Sequence, residues 1–201
     1  MRQALRSNFL RAVFASAALA SCAASRAIPI DFTAGEQQRG AEQLSVEIVP
    51  TDGYDTQRII DLEGPSRHFY VLITNRSNEA IQLWKEWCSW GYFNLSFEAR
   101  RKDGKVLVIS KRDRGWDRNF PCPTTVPPGG HVVRDVALEP SIWENSPLSG
   151  GSGQATVGLR AVFEISEDPK TREFNVWTGK VWSAEDQYSI YWSCGKSACP
   201  R

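Results

Sequence analysis

The sequence predicts an all-β chain, an antiparallel sandwich of about seven to eight short strands. Three observations carry this expectation. Phe93, Leu95, Phe97 and Ala99 alternate with Asn94, Ser96, Glu98 and Arg100, the period of two that turns one face of a strand into a core. Asp103-Gly104 follows, supplying residues tolerant of positive φ for a tight hairpin, and Val106 to Ile109 returns as the partner strand. Eight tryptophans, nine phenylalanines and five tyrosines stand against one methionine, a stiff aromatic interior of β type. No helical period and no internal repeat appears after Cys22.

Residues 1–22 read as an address rather than structure. Arg2, Arg6 and Arg11 form a positive start, and Ala12 to Ala20 is an apolar run too short to span a bilayer. The run ends in Leu19-Ala20-Ser21-Cys22. This resembles the lipobox of bacterial lipoproteins, which implies that Cys22 is lipidated and becomes the mature N-terminus. Ala23 after it implies the outer membrane if the envelope is Gram-negative. The alternative is cleavage at Ala20 or Ala27, giving a soluble secreted or periplasmic protein. Five cysteines leave one unpaired in an oxidising compartment. Lipidating Cys22 leaves the even set Cys88, Cys122, Cys194 and Cys199.

Residues 23–43 are polar and aperiodic and read as a flexible tether. The sandwich domain is expected over residues 44–193 and a disulfide-closed tail over 194–201. Leu44, Val46 and Ile48 alternate in a first strand ended by Pro50 to Gly53, and Gln57 to Leu62 adds an edge strand before Gly64-Pro65. His68 to Thr74 is strand B, with extended chain again from Ala80 to Trp84. Strand C covers Tyr92 to Arg101 and its hairpin partner Lys105 to Ser110. A long polar excursion ends in Pro127-Pro128-Gly129-Gly130, which no helix or central strand accommodates. Strand E is His131 to Leu138, followed by a glycine-rich E–F connection. In strand F, Val157, Leu159, Ala161, Phe163 and Ile165 face in while Thr156, Gly158, Arg160 and Glu164 face out. Strand G runs from Lys180 to Trp192 with a break near Ala184-Glu185-Asp186.

Strand B ends in Asn75-Arg76-Ser77, the C hairpin turns at Asp103-Gly104, Pro128-Gly129-Gly130 precedes E, and Trp177-Thr178-Gly179-Lys180-Val181-Trp182-Ser183 comes late. This pattern resembles bacterial immunoglobulin-like sandwich domains. It is loosely similar to proteins grouped with the BsuPI-type proteinase inhibitors, over roughly residues 44 to 193.

Following strand direction through such a sandwich brings the Cys88 and Cys122 loops to one end. That makes Cys88–Cys122 an expected disulfide and leaves Cys194–Cys199 to close the tail, among three connectivities four cysteines allow. The E–F connection falls at the opposite end. The Cys88 end collects Trp84, Trp87, Trp90, Trp116, Phe120 and Trp177 with Arg112, Arg114 and Arg118. Tryptophan and arginine are favoured at contact surfaces, so Trp87, Trp90, Trp116, Arg114 and Trp177 form the expected binding surface. The alternatives are rings that cap the sandwich, or rings that meet a bilayer surface.

The signatures of catalysis are missing. His68 and His131 each open a strand. Gly150-Gly151-Ser152-Gly153 is followed by Gln154, where a nucleophile elbow needs glycine. Gly195-Lys196-Ser197 has Ile190 in place of the first phosphate-loop glycine. Asp52, Asp55 and Asp61 form no calcium loop. The chain carries +1 overall; without the three leader arginines, 21 basic residues face 23 acidic ones, so charge makes no case for nucleic acid. The reading is a non-enzymatic, lipid-anchored binding or structural module of a bacterial cell envelope. It needs no cofactor or metal, touches the membrane through its lipid, and takes an envelope protein as partner. The alternative implied by the resemblance is a proteinase inhibitor that presents residues 111–126 to a protease.

Overall fold

The computed structural model describes residues 42–54, 57–63, 68–147 and 152–193. The leader with Cys22, nearly all of the tether, and Cys194 and Cys199 lie outside the described residues. In chain order the strands are β1 (Leu44–Val49), β2 (Asp52–Tyr54), β3 (Gln57–Leu62), β4 (Phe69–Asn75) and β5 (Ile81–Trp84). Helix α1 (Ser89–Tyr92) precedes β6 (Leu95–Arg100), β7 (Val106–Lys111), β8 (Pro123–Val126), β9 (His131–Val136), β10 (Trp143–Glu144) and β11 (Gly153–Ile165). Helix α2 (Pro169–Glu173), β12 (Gly179–Trp182) and β13 (Asp186–Trp192) complete them.

These strands build an all-β sandwich, as its sequence predicts. One sheet has the order β1-β4-β9; the larger runs β10-β7-β6-β11-β13-β3-β2, with β12 also paired to β11. Strands β5 and β8 form a separate antiparallel ribbon. The alternation read from sequence sets the inner faces. Phe69, Val71 and Ile73 of β4 and Leu95, Phe97 and Ala99 of β6 are buried, and Phe69 meets Phe97 edge-on at 5.5 Å across the layers. Each fully buried aliphatic or phenylalanine side chain contributes about 1.5–3 kcal/mol of transfer free energy, so these rows dominate folding.

The hairpin after β6 turns as expected. Gly104 takes φ 81°, Asp103 Oδ1 accepts from the Lys105 N–H at 3.1 Å, and Arg101 N donates to Lys105 O at 2.9 Å. Asn75, at the end of β4, is fully buried and holds the next turn together. Its Nδ2 donates to Glu79 O at 2.7 Å and to Val126 O at 2.9 Å, while its Oδ1 accepts from the N–H and hydroxyl of Ser77. One amide thereby ties β4 to β8.

The structure departs from the sequence reading in four places. Strand β3 is no edge: it pairs in parallel with β13 and is flanked by β2. Tyr92, assigned by sequence to strand C, sits in α1; Phe93, expected on the core face of that strand, ends the helix and is exposed; and α2 follows β11. Asp168 caps α2, accepting from Thr171 N at 2.7 Å, and Pro169 supplies its first turn. Arg160, expected outward, is buried on the outer face of β11. It reaches Glu98 at 2.6 Å, with the Trp182 ring 5.2 Å away. The fourth difference is the E–F connection: β10 pairs with the end of β7, Trp143 opposite Lys111, so this segment shares the Cys88 end.

Candidate functional site

Three loops and two strands enclose an open cavity of about 600 Å³ at that end. Lys85, Glu86, Trp87 and Tyr92 form one wall, Lys111 and Arg114 another, and Ile142 and Arg134 complete it. Local chain constraints place the first wall. Lys85 N donates to Cys122 O at 3.0 Å, and the Cys88 N–H and thiol both point to Lys85 O, at 3.4 and 3.3 Å. Gly91 then packs so closely that a Cβ there would lie 2.1 Å from Lys85 O. Only glycine permits α1 to fold back on this turn and deliver Tyr92 to the cavity.

Positive charge is concentrated inside. Lys111 ends β7 with its side chain only 7 % exposed, its Nζ 2.6 Å from Glu86 Oε1. The same ammonium lies 4.7 Å from the Tyr92 ring centre and 4.8 Å from that of Trp143, a cation held between two π faces. Arg134 projects from the inward register of β9 and donates to Trp84 O at 2.9 Å. Its Nη1 is 3.8 Å from Glu86 Oε2. Burial pulls the Arg134 guanidinium below the ordinary arginine range, and first Glu86, then Cys88, restores it only in part. Arg114 lies over Trp116 at 4.0 Å and over Tyr92 at 4.6 Å. Lys85, Lys111, Arg114 and Arg134 therefore face one carboxylate, Glu86, an excess of three positive charges.

The residues expected to form a binding surface divide. Trp87, 58 % exposed, and Arg114 line the cavity, and Trp116 packs edge-on to Tyr92 at 5.5 Å. Trp90 points elsewhere, packing at 6.0 Å on Trp84 in a neighbouring groove. Trp177 is buried, stacked on Phe163, its Nε1 donating to Gln43 Oε1 at 2.9 Å. It caps the core, and what it exposes lines a separate groove with Gln43, Asn78 and Gln82 rather than this cavity.

The expected Cys88–Cys122 disulfide is not formed: both are free thiols. Strand direction correctly brings their loops together around Lys85, but the Cys88 sulfur is turned to Lys85 O and buried. Segment 111–126 is held at its ends and at Asn119: the Lys111 side chain is buried, Asn119 exchanges hydrogen bonds with Ser89, and residues 123–126 are strand β8, while residues 112–115, 117, 118 and Phe120 are exposed. His68 pairs with Asp135 at 2.7 Å on the surface, and His131 is exposed opposite Thr74. Neither reaches the cavity.

Glu86, Tyr92, Lys111, Arg134, Ile142 and Trp143 were not among the residues singled out as the contact surface. For Arg134 a signal exists. In His131-Val132-Val133-Arg134-Asp135-Val136 it shares the register of Val132 and Val136, so period two already places a charge on the core face. No family model matches this chain, and no curated protein matches it in sequence.

Proposed function

We propose that this chain is a non-enzymatic binding module of a bacterial cell envelope, anchored through lipidated Cys22 and engaging its partner with the Cys88 end of the sandwich. The observation that carries the proposal is the open cavity in which Lys111, Arg134 and Arg114 face Tyr92, Trp87 and a single carboxylate. Buried charge is expensive to hold without full compensation. Buried or stacked cations beside an exposed tryptophan are the groups from which recognition sites are built. The anchor rests on Leu19-Ala20-Ser21-Cys22 alone, because with Cys88 and Cys122 as free thiols cysteine parity adds nothing to it.

Two experiments test this reading. A photoreactive residue at position 87, compared with one at exposed Val108 of β7, is expected to give a discrete adduct in intact envelopes only at 87, lost on Arg114→Ala. Adducts of equal yield at both positions, or none at 87, overturn the contact surface. The intact mass of the detergent-extracted protein tests the anchor: a chain starting at diacylglyceryl-modified Cys22 is expected, and one starting after Ala20 or Ala27 overturns it.

A further inference from the structure

From the same cavity, and resting on the reading of it as the contact site, we infer that the ligand is a carboxylate carried on an apolar or aromatic body. Glu86 shows how the site treats a carboxylate. Its Oε1 takes Lys111 at 2.6 Å and its Oε2 faces Arg134 at 3.8 Å, so two cations from different sheets divide the two oxygens of one group. That carboxylate is itself 31 % exposed and answers only one of the four positive charges in the wall. Among the described residues no carboxylate pairs with Lys85 or with the Arg114 side chain. The Arg114 guanidinium carbon lies 4.0 Å from the Trp116 ring centre and 4.6 Å from that of Tyr92, and a fork held between two rings suits two-point recognition of a carboxylate. Beside these cations stand the exposed faces of Trp87 and Ile142. Anion sites and apolar wall therefore adjoin, and a volume of about 600 Å³ suits a small molecule or the last residues of a peptide.

Small carboxylic acids and peptide C-termini share this chemistry, and probes separate them. The full chain is titrated by calorimetry with N-acetyl-L-phenylalanine and with its primary amide, which differ only in that a charged acceptor oxygen is replaced by a neutral NH2 donor. The acid is expected to bind at least about tenfold more tightly, one carboxylate–cation interaction at a partly desolvated site. Arg114→Ala is expected to remove that preference while leaving the amide unaffected. Glu86→Gln is expected to strengthen acid binding several-fold, since it deletes the competing carboxylate, an effect opposite to that of damage to the fold. If that variant does not fold, Lys85→Ala on the half-open rim serves instead, with a several-fold loss expected. A pentapeptide ending in free phenylalanine that binds more tightly than the acid assigns the ligand to chain termini; equal binding assigns it to small acids.

Equal affinity for acid and amide overturns the inference and leaves the cavity standing as a binding site. Weakened acid binding by folded Glu86→Gln overturns it too. If no probe binds while the adduct at position 87 persists, the ligand class is wrong and the surface is right. If both are absent, both fall.

Discussion

Lys111 and Glu86 meet at 2.6 Å, the lysine almost wholly buried and the glutamate a third open to water. The lysine belongs to the large sheet, the glutamate to the loop after β5, and Arg134 from the other sheet shares the same carboxylate. This pair is the hinge of charge on which the cavity turns. Lys111→Met is expected to lower stability by about 1–3 kcal/mol, less than a fully enclosed pair because Glu86 keeps part of its hydration. Urea denaturation of Lys111→Met, Glu86→Gln and the double variant checks it; a double variant no worse than either single one is the signature of coupling.

Gly91 has no room for a methyl group, and the obstacle is backbone, Lys85 O. Gly91→Ala is expected to destabilise the fold by about 2–3 kcal/mol and to displace Tyr92 from beneath Lys111 and Arg114. Thermal melting gives the first effect. Weaker carboxylate binding than in Gly115→Ala, where the space is open, gives the second.

Asn75→Ala deletes four hydrogen bonds at once, two of them to the carbonyls of Glu79 and Val126, of which Glu79 O keeps the Ser77 hydroxyl. The expected loss is about 2–4 kcal/mol, read from denaturant midpoints. Ser77→Ala, which removes a single hydroxyl, is expected to do clearly less harm.

Glu185 folds over Gly158 toward Arg100 at 3.4 Å. Burial pushes its carboxyl above the ordinary range, and Arg100 and then Arg160 draw it back only in part. A carboxyl raised on folding contributes full stability below its unfolded value, about 4.3, and loses it as pH rises through the folded value. Glu185→Gln is therefore expected to be more stable than the parent at pH 7 and to match it below about pH 4. Urea midpoints at the two values test the sign; a destabilised variant at pH 7 means the Arg100 pair outweighs burial.

Cys88 is enclosed and Cys122 half-buried, both as thiols. In the native protein Cys122 is expected to alkylate well ahead of Cys88, and both are expected to react in denaturant. Mass spectrometry of timed alkylation reports the order; a protein with neither thiol reactive in denaturant contradicts the unbridged state.

How far the sequence reaches is clearest in single strands. The rows Leu44-Val46-Ile48, Phe69-Val71-Ile73 and Leu95-Phe97-Ala99 are buried where period two puts them, and the break between β12 and β13 falls within the expected stretch. These features are local: side-chain alternation and a glycine turn follow from neighbouring residues. The aromatic loop end was legible as a concentration of tryptophan and arginine, but not which rings would face outward. Trp87 and Trp177 look alike in composition, yet one is exposed and the other seals the core beside Gln43.

By itself the sequence determined the class of fold, the order of the main strands and the end at which tryptophan and arginine gather. Only the tertiary structure decided that Tyr92 leaves strand C for a helix packed on Lys85, and that the E–F connection swings back to lay Trp143 against Lys111. It also decided that two cations of opposite sheets share Glu86. The physical reason is that alternation along a strand records which side faces a core, whereas a charge finds its partner only after distant segments have packed.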